Sequence, residues 1–392
     1  MTGIAQRCVV VLLFAVSLAA CSSPRAAAIH PHLTSTTYQA VPSTSTTTPT
    51  SFEPLGSSFI NPEQGWVLGS AGCGSCISLQ ATQDGGMTWT ALPAPEVPVS
   101  GYSQAPNAVN DIYFADRFNG FLFQPGLEMT HDGGETWTSA ILPPVMEVTG
   151  GGRYLYALAE SVGPDSASLW RTTVGSNVWA PLSLPSEHVP FAGVQLSVEG
   201  DTLLFLQKGQ LGPVRTSSQV GTLWTSTDAA SHWVQRSVPC APDDGGAAVV
   251  SIAHGNPDAW LVDCFDNEQS SQAQETQHHL YGSANAGRNW VRLADPSTTG
   301  DPALLADNGS GHAFLTTEAG GQDWLMATFD GARSWTRLFA TVGFTGWADL
   351  QFVDASTGFV VGPSNGYNNT DHVYRTDDGG RTWRVLQFAP SG

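Results

Sequence analysis

The chain has 392 residues and a formal net charge of −19, with 34 acidic side chains against 15 Lys and Arg, and Lys208 is its only lysine. Such an acidic body excludes partners that are held by neutralising their phosphates, nucleic acid and anionic membrane surfaces among them. Charged residues make up only 12% of the chain, while Gly, Trp and short apolar runs recur throughout, and a body of this length forms one domain only if it is a repeat array.

At the N-terminus, Met1 to Arg7 carry one positive charge and residues 8–20 are almost entirely apolar, a run too short to span a bilayer comfortably. The run closes with Leu18, Ala19, Ala20 and Cys21, which resembles the lipobox of bacterial lipoproteins. That resemblance implies a signal peptide over 1–20, diacylation of Cys21, and a protein held outside the cytoplasm on the bacterial cell membrane, since two acyl chains suffice for stable anchoring. Residues 21–51 are dominated by Ser, Thr, Pro and Ala and read as a disordered tether, because they bury too little apolar surface to offset ordering. The folded domain is expected over 52–392.

Four cysteines remain beyond Cys8 and Cys21: Cys73, Cys76, Cys240 and Cys264. An even count in an exported chain favours disulfides. Cys73 and Cys76 form a CxxC between two strand-like runs with no helical pattern after it, so a structural staple is expected rather than a redox centre. Cys240 and Cys264 are 24 apart, too far in sequence to complete a zinc site with the CxxC.

The informative signal is an internal repeat. Thr82-Gln83-Asp84-Gly85-Gly86-Met87-Thr88-Trp89 recurs at Thr130 to Trp137, around Asp132, and at Thr376 to Trp383, around Asp378. Counting back from Trp finds weaker copies with Asp228 and Trp233, Asn285 and Trp290, and Asp330 and Trp335. A worn seventh keeps Thr172 and Trp179, with Val174 in place of the acid, and successive Trp residues are spaced 48, 42, 54, 57, 45 and 48 apart. Ahead of these turns lie paired apolar runs, as in Asp111-Ile112-Tyr113-Phe114 with Gly120-Phe121-Leu122-Phe123, and Asp349 to Phe352 with Gly358 to Gly362. Alternation, a polar turn and a second run read as a β-hairpin.

These motifs resemble the Asp-box (BNR) repeat family over essentially the whole domain. The resemblance implies an all-β fold, a single seven-bladed propeller of four-stranded blades with no long helix. In each turn the Asp accepts backbone N–H bonds, the glycines permit positive φ and the Trp packs between sheets. These acids are therefore expected to be structural. The turns share one face near the rim, and the loops between second and third strands, with the links between blades, share the other. On that loop face the segments Gln207 to Thr222 and Cys264 to His279 are the longest. The second, with the blade link Pro239 to Gly246, carries Asp243, Asp244, Asp266, Glu268, Glu275, His278 and His279, bracketed by Cys240 and Cys264, which should emerge on the same face. Crosslinked loops of this kind are candidate binding loops. Neighbouring histidines on a strand point to opposite faces, so no metal site is expected there, and no cofactor is implied.

Propellers of this kind include sialidases, but no arginine occurs between Ala26 and Asp116, where the substrate-clamping arginine is expected, and Arg288, Arg333 and Arg381 fall in or beside the turns, away from the loop face. A sialidase clamp cannot be built from Asp and Glu. Endoglucanases of this type use two propellers, and the chain has length for one. The strand motif ending in Gly358-Phe359-Val360-Val361-Gly362 looks like that of the single-domain propellers that assist photosystem II assembly. The basic patch this implies for gripping a partner has few residues here to build it. The reading is a non-catalytic cell-envelope scaffold that binds a protein or glycan through its loop face, with glycoside hydrolysis as the alternative. A blind pocket with paired carboxylates would favour hydrolysis, and a broad apolar patch on the loop face would favour binding.

Overall fold

The computed structural model describes residues 36–38, 52–71, 76–100, 105–161, 166–186, 189, 193–209, 220–266, 278–298, 300–319, 322–341, 346–363 and 371–388. They form seven antiparallel sheets of four consecutive strands each, a seven-bladed propeller. The innermost strand of each blade comes first in sequence: Phe52–Phe59, Asp111–Phe114, Val145–Gly151, Val194–Glu199, Gly246–Ala253, Asp301–Asp307 and Ala348–Phe352. These strands meet in ring order, and the first packs against the seventh blade. Thr36–Tyr38 adds a short strand beside Trp137–Ser139 at the outer edge of blade 2. A Thr-Thr-Tyr segment with high strand propensity thus covers an open sheet edge, inside a stretch read from sequence as disordered tether. The other residues of 1–51 lie outside the described residues.

The recurrent turns do what their residues dictate. Asp84 accepts the amide hydrogens of Met87 and Thr88 on Oδ1 and the Thr88 hydroxyl on Oδ2, while Thr82 Oγ1 accepts the Gly86 amide at 2.8 Å. Asp132, Asp330 and Asp378 repeat this pattern, and in blade 4 the His232 imidazole takes the place of the hydroxyl on Asp228. Two consecutive residues at the turn adopt positive φ: Gly85 and Gly86 at 72° and 84°, but Ala229 and Ala230 at 57° and 62° in blade 4. The worn turn of blade 3 lacks the acid, and Thr172 donates instead to the carbonyl of Ser176.

Blades join by a repeated contact. The indole of a turn Trp donates to the carbonyl four residues after the equivalent Trp of the preceding blade: Trp137 to Pro93, Trp233 to Ser183, Trp290 to Ser237 and Trp335 to Ala294. Nearer the centre, a ring on the second strand of one blade stacks on a ring ending the first strand of the next. Trp66 lies 3.8 Å from Phe114, Phe314 4.7 Å from Phe352, and Phe359 3.4 Å from Phe59. The last pair closes the ring by the same rule as the others. In blades 1, 2 and 7 a glycine opens the second strand and leaves room for the ring that ends the first: a Cβ on Gly65 would stand 2.2 Å from the Phe59 ring, on Gly120 2.4 Å from Phe114 and on Gly358 2.6 Å from Phe352.

Thermal melts should therefore separate two glycine exchanges. Gly65→Ala displaces a stacked ring and is expected to cost about 1–3 kcal/mol. Ala229→Gly relieves a left-handed alanine and is expected to add about 0.5 kcal/mol. A stabilising Gly65→Ala would contradict the role given to that glycine.

Candidate functional site: the central channel

Seven innermost strands leave seven open edges around the axis, and their backbone groups need partners. Side chains of neighbouring blades supply them. Gln195 accepts the Val250 amide at 2.9 Å and donates to its carbonyl, Ser58 Oγ accepts the Phe114 amide at 2.8 Å, and Glu147 accepts from Leu196. Register breaks interrupt five of these strands, between Pro54 and Gly56, Val145 and Glu147, Ala247 and Val249, Pro302 and Leu305, and Ala348 and Gln351. A bulge re-aims a side chain. Asp349 sits in the last of them with φ of 53° and accepts the Ser57 amide at 2.6 Å.

Within this ring lies a cavity of about 790 Å³. Among the described residues its walls come from the starts of first strands (Asp111, Val194), the end of a second strand (Phe123) and Lys208 just beyond another, the strand ends that border the loop face. Asp111 and Asp349 meet there in a hydrogen bond, and Ile112 donates its amide to Asp111 at 2.7 Å. Both carboxyls straddle Gly56, where a Cβ would lie 2.8 Å from Asp111 Oδ1. Burial pushes Asp111 up to about 6 and Asp349 well above the usual carboxylate range, so the pair holds one proton between them. Glu147 still touches the channel space, yet protein surrounds it, and that burial raises its carboxyl to about 7. Burial lowers the Lys208 ammonium, and the charge of Glu147 works against that shift. Tyr113 donates to the Gly150 carbonyl at 2.8 Å, and burial raises its phenol further.

Paired carboxylates are thus present, but in contact. A glycosidase needs them roughly 5–9.5 Å apart to admit the sugar and water. Here each also caps a backbone amide, so the pair serves the joint between blades 7, 1 and 2.

The loop residues singled out in sequence divide. Cys240 and Cys264 are bonded, with Cα atoms 5.5 Å apart, and Cys76 is disulfide-bonded while Cys73 lies outside the described residues. Asp244 is buried, accepting the Tyr281 hydroxyl and pairing with Arg292 at 2.9 Å, which also reaches Asp295 at 2.8 Å. His278 is fully buried, bonded to Asp263 at 2.7 Å and to the Gly300 carbonyl at 3.0 Å. His279 faces the other way, onto Asp295 at 3.0 Å. These groups therefore brace blades 5 and 6 from within. Asp243 is exposed and Asp266 partly buried. Glu268 and Glu275 lie outside the described residues, as do 210–219 of the first long loop. No cluster of metal-ligating side chains occurs among the described residues.

No family profile matches the chain. It is 30% identical over 166 residues to the photosystem II assembly lipoprotein Ycf48 of Synechococcus sp. (strain CC9902). That match covers 42% of this chain and 43% of the relative, so it spans less than half of either. Among solved structures, that of YCF48 bound to D1 peptide superposes with a TM-score of 0.54 at 16% identity, covering 88% of this chain and 94% of that one. Hydrazine synthase of Kuenenia stuttgartiensis superposes with a TM-score of 0.55 at 10% identity, covering 85% and 98%. At these identities the structures share the fold, and a fold carried by both an assembly factor and an enzyme does not choose between them.

The channel and the turns titrate in opposite senses. Hydrogen bonds hold Asp84, Asp228 and Asp330 down at about 2, from Thr88, His232 and Ser334 first. Their contribution is present above pH 4 and is lost as pH falls through 2. Asp111, Asp349 and Glu147 are raised, so the folded chain binds more protons than the unfolded one between about pH 4 and 7, and stability falls as pH rises through that window. The melting temperature is expected to peak near pH 5. Glu147→Gln should flatten the alkaline limb and add about 1–2 kcal/mol at pH 8. A melting temperature still climbing from pH 5 to pH 8 would refute the assignment.

Proposed function

We propose that the chain is a lipoprotein of the cell envelope, anchored through Cys21, whose propeller is a non-catalytic scaffold holding a protein partner on its loop face. One observation carries the choice of scaffold over hydrolase. The paired carboxylates of the channel are in contact and committed to strand amides, so they do not offer two separated groups to a glycosidic bond. The local likeness to the assembly lipoprotein Ycf48, and the shared fold with a Ycf48 structure that holds a peptide, support a protein as the occupant. Anchoring rests on Leu18, Ala19, Ala20 and Cys21, followed by a stretch long enough to hold the ring off the membrane.

The test is affinity capture from detergent-solubilised cell envelope with the full chain as bait. Its counterpart has the segments Gln207 to Thr222 and Cys264 to His279 shortened, and both are run on a panel of glycans. A partner retained by the first and lost by the second is expected, with no sugar release, and Cys21→Ser should move the protein from the detergent to the aqueous phase. Glycan hydrolysis without a stable partner would overturn the scaffold reading.

A further inference from the structure

On the turn face, the carbonyl that follows the turn Asp or Asn is answered from the preceding blade. Arg375 donates to Gly85 at 2.9 Å, Arg171 to Ala229 at 2.6 Å and Arg236 to Ala286 at 3.1 Å. Arg375 shows such a seat in full. It directly precedes Thr376 on the third strand of blade 7 and lies 5.3 Å over the ring of its cross-strand neighbour Phe359. It also donates to the Pro62 carbonyl at 2.6 Å and to Asp377 at 2.7 Å.

At the joint between blades 1 and 2 the same positions are filled differently. Ala81 precedes Thr82, Trp66 stands across from it, and Gln83 takes the place of the acid. The facing carbonyls are those of Arg117 and Gly133, because Gly133 donates to Phe118 as Gly85 does to Glu63. A Cβ on Gly85 would strike the Arg375 guanidinium at 2.0 Å, whereas one on Gly133 would meet only the Arg117 carbonyl, at 3.0 Å. Gly85 is accordingly buried, while Gly133 and Ala81 keep part of their exposure. The Trp66 indole gives Gly133 one donor at 3.0 Å, and a carbonyl oxygen has lone pairs for two. A cleft of about 610 Å³ opens here, with Trp66, Ala81, Gln83 and Gly133 among its walls and the exposed carboxylates of Glu63 and Glu135 beside them.

We propose that the cleft between blades 1 and 2 on the turn face binds a guanidinium group. The group sits beside Trp66 as Arg375 sits beside Phe359, with its N–H groups on the Arg117 and Gly133 carbonyls. The walls are rich in acceptors, and the one cation among them, Arg117, is engaged on the Phe118 ring at 4.3 Å. An anion would find almost nothing to accept from. A guanidinium brings five donors in one plane and no acceptor, which fits two carbonyls and an amide oxygen at once, where a rounded ammonium does not. The site lies on the face opposite the loops and stands independently of the scaffold reading.

The test uses the full chain in detergent and short dye-labelled glycine peptides carrying one arginine, one lysine, or one citrulline, which has the shape of arginine without the charge. Fluorescence anisotropy at low salt is expected to show the arginine peptide bound at least tenfold more tightly than the citrulline peptide and severalfold more tightly than the lysine peptide. Ala81→Arg with Gln83→Asp installs the arginine and acid of the blade 7 seat, and should raise the melting temperature and weaken the arginine peptide at least tenfold. Trp66→Phe copies Phe359 and releases the Gly133 carbonyl, and should tighten that peptide severalfold. Melting curves verify that each variant is folded. Free L-arginine competing as well as the peptide would assign the seat to a small guanidino compound, and failing to compete would assign it to a side chain of a polypeptide; either supports the guanidinium. Equal binding of the arginine and lysine peptides, or arginine binding unchanged in a folded double variant, would sink the proposal. Shortening Gln207 to Thr222 and Cys264 to His279 should leave this binding intact, so the two readings fail separately.

Discussion

The joint between blades is the constraint from which the rest follows. A four-stranded sheet has two open edges, and in a propeller the inner one faces a narrow axis where water is scarce and no further strand fits. Gln195 answers both backbone groups of Val250, Ser58 answers Phe114, and Asp349 answers Ser57, each reaching from one blade to its neighbour. Stacked rings then fill the space behind these bonds. All four strands of the last blade come from residues 348–385, so among the described residues no strand from elsewhere locks the ring. Closure rests instead on a seventh joint of the ordinary kind, reinforced by Arg375, which donates to the carbonyls of Pro62 and Gly85 across the seam. The seam is not a perfect copy: unlike those of Trp137, Trp233, Trp290 and Trp335, the Trp89 indole has no hydrogen-bond partner among the described residues.

This way of pairing edges sets the chemistry of the channel. Where the answering side chain is Gln or Ser, the joint is neutral. Where it is Asp349 or Glu147, capping an amide brings a carboxyl into a space that protein surrounds. Asp349 meets Asp111 over Gly56, where two buried carboxyls cannot both ionise cheaply, and they share a proton. The acidity of the channel is thus a product of how the ring is closed.

Much of the fold was legible because it rests on local rules repeated seven times. A Thr, an Asp two residues on, two small residues and a Trp define a turn wherever they occur, so strand count and blade number followed from spacing. That Cys240 and Cys264 emerge on one face followed from knowing which strand ends share it, while their reach, with Cα atoms 5.5 Å apart, is a finding of the structure. The channel was not legible, since its lining depends on bulges, and a bulge breaks the alternation from which side-chain direction is read. Asp349 opens a motif that reads as a plain strand start, and nothing local marks its left-handed backbone or its partner Asp111, 238 residues away. Gly56 was the available signal, a glycine within a strand where another side chain approaches closely. The blade 5 residues misled in the other direction. Charged residues between cysteines suggest a solvated binding patch, but Asp244 and His278 are packed against Tyr281 and Asp263, because a buried acid and a buried imidazole or phenol satisfy one another.

The same residue type therefore has two opposite conditions in this molecule. Asp84 in its turn receives four donors, from the Thr82 and Thr88 hydroxyls and the Met87 and Thr88 amides, and its carboxyl falls to about 2. Asp111 in the channel receives one backbone amide and a hydrogen bond shared with Asp349, and burial raises its carboxyl to about 6. A carboxylate saturated by its own turn has nothing left to offer a ligand, which is why the five turns that carry the acid make a rim and not an acidic site. A carboxyl short of donors, as Asp111 and Glu147 are, holds its proton instead. The difference between rim and channel lies in how many donors each carboxyl receives rather than in how many acids each carries.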